Sequence, residues 1–185
     1  VVTMTAARNV TATFTLDGAP PPATFTLTVT VVGSGSVQAD SGAIDCGATC
    51  NDDYTDGTTV VLTATPAAGW SVTWSGGGCS GSTLTCTVSM TAARNVTATF
   101  TLNTYLLTVT KAGTGSGSVS SSPAGIDCGS TCSYTYDYNT SVTLTATAEA
   151  GSTFTGWSGA GCSGTGTCVV TMTAARNVTA TFTLN

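Results

Sequence analysis

The sequence predicts an all-β protein built from tandem, small antiparallel β modules pinned by disulfides. The first observation is a 13-residue sequence, MTAARNVTATFTL, which occurs at Met4–Leu16, Met90–Leu102 and Met172–Leu184 and is called the signature segment below. Its second half alternates apolar and polar residues, which is typical of a strand with one buried face. The second observation is that cysteines recur 82 positions apart, and the third is that no segment is long enough for a helix.

The repeats divide the chain into three parts. Residues 1–18 are the C-terminal remnant of a preceding repeat, residues 19–103 the first complete repeat and residues 104–185 the second. Units of this size lie near the lower end of independently folding domains. Asp17–Ala23 contains three consecutive prolines, so a stiff, extended linker is expected there.

The first complete repeat reads as short strands separated by turns. GSGS predicts a tight turn after the opening strand, and Asp56-Gly57 predicts a hairpin. Val60, Leu62 and Ala64 are the predicted inward positions of the strongest strand. The Gly/Ser-rich stretch from Cys79 to Cys86 predicts another hairpin. The predicted strands are Thr24–Val32, Ser36–Ala39, Asp52–Thr55, Thr59–Thr65, Trp70–Trp74 and the tail of the signature segment.

The second complete repeat follows the same order from Tyr105, with small differences. Lys111–Gly117 predicts a longer turn, and Phe154 and Trp157 correspond to Val72 and Trp74. Six or seven short strands are expected in each repeat.

Eight cysteines, four in each complete repeat, predict disulfides and therefore an oxidising, extracellular setting. Local spacing favours short-range pairs, each stabilising by about 2 kcal/mol in the chain-entropy model. Pairing across motifs, such as Cys46 with Cys86, and a zinc site of four thiolates are the alternatives. The predicted pairs are Cys46–Cys50, Cys79–Cys86, Cys128–Cys132 and Cys162–Cys168.

The charge pattern excludes several classes of protein. Only 7% of residues are charged, the net charge is −5, and four cationic residues cannot form a basic stripe, so nucleic acid and anionic membrane surfaces are not expected partners. No apolar run reaches the length of a membrane span. There is no histidine, and Glu149 and Lys111 are the single glutamate and the single lysine. This composition predicts neither an enzyme nor a cofactor.

Two further groups of residues, aspartates and sequon asparagines, each have a functional and a structural interpretation. Asp52, Asp53 and Asp56 suggest calcium, but the second repeat has only Asp137 nearby, which favours a solvated turn. The Asn-x-Ser/Thr sequons at Asn9, Asn95, Asn139 and Asn177 are interpreted as a by-product of the repeated strand, with glycosylation as the alternative.

The aromatic residues invite a sugar-binding hypothesis. Trp74 and Trp157 recur beside inward apolar positions, so core packing is expected for both. Trp70 has no aromatic counterpart and is the candidate for an exposed ligand contact. Tyr134, Tyr136 and Tyr138 share one face of a strand and are expected to cover the junction between the repeats.

An ordered set of motifs resembles a known family. LTVTKAGTGSGSV, IDCGSTC, SVTLTATA, FTGWSG, CSGTGTC and MTAARNVTATF, in this order, are similar to the bacterial extracellular repeat related to the internalin B-repeat, or Listeria–Bacteroides repeat, in its divergent cysteine-containing form. The resemblance covers nearly the whole chain. It implies a small β-grasp-like or β-sandwich-like module, strung in tandem in large secreted or surface-anchored proteins, without catalytic residues.

The N-terminal copy of the signature segment has no repeat of its own. Val1–Leu16 is identical to Val169–Leu184, and each complete repeat already holds one copy. Because a lone strand is not stable in water, we expect this one to pair with a neighbour, either the preceding part of a longer polypeptide or the next subunit of a fibre. We favour burial of Val10, Ala12, Phe14 and Leu16 against another copy of the chain. Head-to-tail pairing of this kind produces a filament. The expected function is therefore a structural segment of an extracellular fibre, stalk or adhesin; the alternative is a carbohydrate-binding or accessory module of a secreted protein.

Overall fold

A computed structural model describes residues 6, 9, 11–13, 18, 21–46, 49–129 and 131–185, and in this part of the chain it contains fifteen strands and no helix. The all-β prediction is therefore confirmed. The strands of the first module are β1 (Thr24–Val32), β2 (Gly35–Ala39), β3 (Asp45–Cys46), β4 (Thr49–Thr55), β5 (Thr58–Pro66), β6 (Trp70–Ser75), β7 (Thr85–Met90) and β8 (Arg94–Leu102). Those of the second are β9 (Thr104–Gly113), β10 (Gly117–Ser122), β11 (Ser133–Asp137), β12 (Ser141–Ala148), β13 (Ser152–Ser158), β14 (Cys168–Thr171) and β15 (Arg176–Leu184).

Each module is a small sandwich of two sheets. Sheet I contains the signature strand and has the order β4-β1-β8-β6 in the first module and β11-β9-β15-β13 in the second. Sheet II has the order β3-β2-β5-β7 in the first module and β10-β12-β14 in the second. Apart from the step from β2 to β3, consecutive strands of the first module lie in opposite sheets, so the chain passes back and forth across the core.

This alternation corrects the hairpin expected at Asp56-Gly57. Gly57 has a φ of 81°, as a tight turn requires, but β4 before it belongs to sheet I and β5 after it to sheet II. The turn therefore moves the chain between layers instead of pairing its two flanks. The stretch from Cys79 to Cys86 is likewise a loop that leads into β7, and not a hairpin.

One strand pair in each module is parallel, which the antiparallel prediction missed. β1 runs parallel to β8 from Leu27↔Arg94 to Val32↔Thr99, and β9 runs parallel to β15. A parallel pair needs a long connection between its strands. Here the connection is the rest of the module, because β1 and β8 are its first and last strands.

The cores confirm the faces expected for the strands. Val96, Ala98 and Phe100 of β8 are buried, and so are their counterparts in β15. Val60 and Leu62 of β5 are fully buried against them. Each module has its own buried cluster that draws on both sheets, so each has the core of an independent domain.

Glycines near the first turn make room for the signature phenylalanine. A Cβ on Gly33, whose φ is 85°, would overlap the carbonyl oxygen of Phe100, and one on Gly35 would overlap the Phe100 ring. Gly117 has the same relation to Phe182. The GSGS sequence is therefore needed for the close approach of the turn to β8 as well as for the turn itself.

Most of the N-terminal copy of the signature segment cannot be assigned. Val10, Phe14 and Leu16 lie outside the described residues. Ala12 is described; it is exposed in the single chain and belongs to no strand. The expected pairing with another copy of the chain stays a prediction.

Candidate functional site

One disulfide of each module links segments that are attached to opposite sheets, and the other links a strand of sheet II to the loop that leaves sheet I. Cys46 lies in β3 of sheet II and Cys50 in β4 of sheet I, and Cys86 of β7 in sheet II is bonded to Cys79 in the loop that leaves β6. The second module has the equivalent pairs Cys128–Cys132 and Cys162–Cys168. The Cα–Cα distances, 5.9, 5.7, 4.7 and 5.4 Å, lie in the ordinary range for disulfides. Each bond joins a buried cysteine to a half-buried one, so it closes the edge of the sandwich.

A tryptophan in each module holds the loop between the second pair of cysteines. The indole Nε1 of Trp74 donates a hydrogen bond to the carbonyl oxygen of Thr83 over 2.7 Å, and that of Trp157 donates to Gly166 over 2.6 Å. Trp74 and Trp157 are only 4% and 5% exposed. Both tryptophans therefore pack in the core, as expected, and also hold the loop by a hydrogen bond, because a buried indole N–H needs an acceptor.

A tyrosine in each module fastens the loop that follows β2 or β10. The hydroxyl of Tyr54 donates to the carbonyl oxygen of Ser41 over 2.7 Å. That of Tyr136 donates to the carbonyl oxygen of Pro123 over 3.3 Å and also contacts Oγ of Ser121, at the end of β10, at 2.8 Å. Burial raises the pKa of the Tyr54 phenol above its usual value, and the carboxylates of Asp52 and Asp40 raise it further.

The aspartates of the calcium hypothesis make structural hydrogen bonds instead of converging. Asp52 Oδ2 accepts from the Ala43 amide over 2.6 Å, and Asp53 Oδ1 accepts from the Thr26 hydroxyl over 2.6 Å. Among the described residues, no group of three or more possible ligands is placed to hold a metal ion. The second module has Tyr134 at the position of Asp52, so the arrangement is not repeated.

The two modules meet at a junction with a single connecting residue, Asn103. Its amide donates to the carbonyl oxygen of Gly69 in the first module, and its own carbonyl oxygen accepts from the Tyr138 amide of the second, both over 2.8 Å. The Tyr138 ring lies directly against Gly69, where a Cβ would overlap it. On its other side the ring is 6.4 Å from that of Tyr105. The junction is therefore fixed on both sides of the connecting residue.

The prediction that three tyrosines cover this junction is correct for only one of them. Tyr138 lies at the junction, whereas Tyr136 is buried within the second module and Tyr134 is 46% exposed beside it. The residue that Tyr138 packs against, Gly69, is not among those predicted from the sequence. The signal that was available is the direct continuation Leu102-Asn103-Thr104, which has none of the prolines found in Asp17–Ala23.

Sequence comparison agrees with this tandem architecture. The family model described as the divergent InlB B-repeat domain matches residues 25–104 and 107–185, which correspond to the two sandwiches. The chain belongs to the divergent InlB B-repeat family. The resemblance drawn from the motifs is thereby confirmed, and the two modules are called B-repeats below.

Comparison with other proteins adds little. No curated protein matches the chain. Among solved structures, the major pilin protein T-13 of Streptococcus pyogenes is similar over 88% of this chain and 97% of its own, with 10% sequence identity and a TM-score of 0.39. A likeness this distant carries no conclusion about the B-repeats.

Trp70, the candidate ligand contact, is half-buried at the edge of the first B-repeat. It packs against that core, with its Cζ3 about 3.1 Å from the place that a Cβ on Gly33 would occupy. Only part of its ring therefore faces solvent. The second B-repeat has Ser152 here, whose hydroxyl accepts a hydrogen bond from the Ser116 amide over 2.9 Å.

Two shallow depressions lie on the second B-repeat. One, of about 290 Å³, is bordered by Pro123, Tyr134, Asp137 and Thr140. The other, of about 230 Å³, is bordered by Lys111 and Glu149 near the Gly115–Gly117 turn, where Lys111 Nζ donates to the carbonyl oxygen of Gly117 over 3.1 Å. The first depression combines an exposed aromatic ring with a carboxylate and a hydroxyl.

Two further findings concern membrane-spanning helices and the sequon asparagines. Within the described ranges, no helix is long and apolar enough to span a membrane. The sequon asparagines Asn9, Asn95, Asn139 and Asn177 are all exposed.

Proposed function

We propose that this pair of B-repeats is a structural, non-enzymatic segment of a bacterial extracellular fibre, stalk or surface adhesin. The observation that carries the proposal is the parallel pairing of the first and last strands of each repeat, in the middle of sheet I. Parallel neighbours start at the same end of a sheet. The chain therefore enters each repeat at one end and leaves it at the opposite end.

This geometry suits a module that bears tension. A pull on the two ends of a repeat slides β1 along β8, so the hydrogen bonds of that pair are loaded together instead of one after another. The neighbouring pairs, β1 with β4 and β8 with β6, flank the loaded pair on both sides. While sheet I is under load, Cys46–Cys50 keeps its edge strand β4 joined to β3 of sheet II, and Cys79–Cys86 keeps the loop after β6 joined to β7.

The setting and the absence of catalysis are part of the same proposal. Four disulfides in the described residues favour an oxidising, extracellular location. A sequence with 7% charged residues and no histidine offers little for acid–base or nucleophilic chemistry. Thiol labelling of intact cells, with and without reductant, would test the location.

Single-molecule force spectroscopy tests the mechanical role. Pulled from its two ends, the chain should give one unfolding event for each repeat. Each event should release about 22 nm with the disulfides intact, because an extended chain of roughly 80 residues spans about 28 nm, the folded repeat already spans about 3 nm, and the two closed disulfide loops withhold about 3 nm more. The matched control applies force between residues 23 and 56, where β1 and β4 start to separate at Thr24↔Thr55. We expect a clearly lower force there; equal forces in both directions would argue against the proposal.

Head-to-tail pairing through the N-terminal signature segment is the finer part of the proposal. Residues 10–14 carry the same valine, alanine and phenylalanine that β8 and β15 bury in their own repeats. We expect Phe14→Asp to abolish concentration-dependent assembly, as followed by light scattering and electron microscopy. Thr13→Asp, on the opposite face, is the control. Equal assembly of the two variants would remove this part of the proposal.

Carbohydrate binding is the second candidate function, and the depression beside Tyr134 supports it better than Trp70 does. Pro123 and Tyr134 offer flat apolar surfaces, and Asp137 and Thr140 offer hydrogen bonds to sugar hydroxyls. Tyr134→Asp is a well-matched variant, because the first B-repeat carries Asp52 at the same position. Saturable binding on a glycan array that this variant loses would favour the candidate, and binding lost instead in Trp70→Ala would relocate it.

A further inference from the structure

Each B-repeat ends in the same small surface, which is called the end socket here. It consists of Gly69, Leu102 and Asn103 in the first repeat and of Gly151, Leu184 and Asn185 in the second. It lies where the signature strand ends beside the turn that precedes β6 or β13. The socket is therefore made from parts of the fold that both repeats share.

The end socket of the first repeat is filled. Tyr138, from the turn between β11 and β12 of the second repeat, lays its ring over Gly69. Leu102 beside it is half-buried. A glycine is needed under the ring, since any Cβ on Gly69 would overlap it.

The end socket of the second repeat is built in the same way and is open. It consists of Gly151, Leu184 and Asn185. The Asn185 amide donates to the carbonyl oxygen of Gly151 over 2.9 Å, as the Asn103 amide does to that of Gly69 over 2.8 Å. Gly151 has the same φ, 79°, yet nothing lies within 4 Å of the Cβ position, and Leu184 is 67% exposed.

We propose that the second end socket docks the leading face of a further B-repeat that carries tyrosine at the position of Tyr138. The two would be joined through Asn185 as the present two are joined through Asn103. The inference rests on the proposed function in one respect, namely that the repeats form an array. The evidence for the occupant is the first socket, which has the same glycine, leucine and asparagine, and the same amide hydrogen bond, with its partner in place.

A free second copy of the chain fits this socket less well. Its own Tyr138 already covers Gly69, and its first repeat has Asp56 at the tyrosine position. A carboxylate brought against Leu184 would lose hydration without gaining a partner. The occupant is therefore a repeat of the second type, and not the leading end of another molecule.

The test extends the full chain after Asn185 by a duplicate of residues 104–185. Gly69→Ala and Gly151→Ala place alanine at the same left-handed φ, so both variants share that backbone strain. In the present chain we expect Gly69→Ala to lower Tm further than Gly151→Ala, by ~4–8 °C, because only it displaces a tyrosine ring. In the extended chain, Gly151→Ala should lower Tm as much as Gly69→Ala does.

A second measurement does not depend on whether the fold tolerates alanine at positions 69 and 151. Hydrogen exchange of the Asn185 amide should slow at least ~10-fold in the extended chain, since docking removes it from solvent. The slowing should be lost when the duplicated Tyr138 is replaced by aspartate, the residue found at position 56. Unchanged exchange, together with equal effects of Gly151→Ala in both chains, would overturn the proposal.

The remaining outcomes also decide between hypotheses. Dimerisation of the present chain that Gly151→Ala abolishes would show a free copy in the socket and contradict the assigned occupant. A negative result here leaves the force measurements untouched, because those report on β1 and β8 inside one repeat. Conversely, the chain could unfold at low force while the lengthened chain, with its duplicated repeat, still protects the Asn185 amide. That result would refute the proposed function and support the docking surface.

Discussion

The two B-repeats share one scaffold but differ in length at three places, and two of the differences cancel. β13 contains a bulge between Phe154 and Gly156 that β6 lacks, which adds one residue before Trp157. The cysteine loop that follows is one residue shorter, with a sequence separation of 6 instead of 7. The indole still reaches a carbonyl nine residues ahead in both repeats. The comparison teaches that the contact between tryptophan and loop is kept while the strand around it is adjusted.

The third difference has no such compensation. From Val29 in β1 to Gly35 at the start of β2 the chain advances six residues, whereas from the equivalent Val109 in β9 to Gly117 at the start of β10 it advances eight, two more. The glycine that faces the signature phenylalanine is nevertheless present in both turns. Both repeats therefore keep the close contact between this turn and the phenylalanine, whereas the length of the turn varies between them.

The largest expected effect comes from the phenylalanine itself. Phe100→Ala and Phe182→Ala should each destabilise their own repeat by about 3–5 kcal/mol, because a buried ring is replaced by a cavity. Chemical denaturation followed by residue-resolved NMR would show which repeat unfolds first. Leu84→Ala, at a side chain 57% exposed, is the control. Equal loss in both repeats from one substitution would mean that the two cores are not independent.

The next effect is that of the second disulfide in each repeat. Replacing both cysteines of Cys79–Cys86 or of Cys162–Cys168 by serine should cost about 2 kcal/mol, mainly by freeing the unfolded chain. The two losses should be nearly equal, since the loops differ by one residue. Differential scanning calorimetry of both double variants measures this. Losses that differ several-fold would show that the bulge in β13 and the short loop do not compensate.

A smaller effect is expected for the indole hydrogen bonds. Trp74→Phe and Trp157→Phe each leave a loop carbonyl without its donor, which should cost about 1–3 kcal/mol. Trp70→Phe is the control, because the Trp70 indole donates no hydrogen bond within the part of the chain that the structure describes. We would measure urea unfolding together with hydrogen exchange in the two cysteine loops. No change in the exchange of either loop would contradict the role given to the indole.

The smallest effect concerns Tyr54 and appears at alkaline pH. Its pKa is raised in the folded protein, so above about pH 10 the unfolded chain loses this proton first, and stability falls until the folded pKa is passed. Tyr54→Phe cannot ionise, and should therefore lose less stability than the natural protein between pH 9 and 11. The exposed Tyr134→Phe is the control for general alkaline effects. Parallel pH profiles for Tyr54→Phe and the natural protein would contradict the assignment.

Much of the strand content could be predicted from the sequence, because burial along a strand depends on local alternation. Val60 and Leu62, and the Val96–Phe100 face, were identified correctly for this reason. The sheet to which a strand belongs depends on partners far away in the chain, so the turn at Asp56-Gly57 was misinterpreted as a hairpin. A turn sequence specifies backbone angles, and these are the same whether the chain pairs with itself or crosses the core.

Only one side of the junction could be predicted from the sequence, for a related reason. An unusual tyrosine at position 138 could be noticed, but Gly69 is one of 22 glycines and lies far from it in the chain. Nothing in a single sequence distinguishes a glycine needed for a turn from one needed under an aromatic ring. The open counterpart at Gly151 becomes meaningful only when both ends are seen on the folded modules.

The joint at Asn103, the single residue between the repeats, determines how the end-to-end length of an array grows with the number of repeats. Hydrogen bonds on both sides of this residue leave the joint little freedom to bend. Units joined in this way add length in proportion to their number, whereas units on flexible linkers spread only as the square root of it. Lengthening the joint by a few glycines would therefore shorten the average span of an array even though its contour became longer.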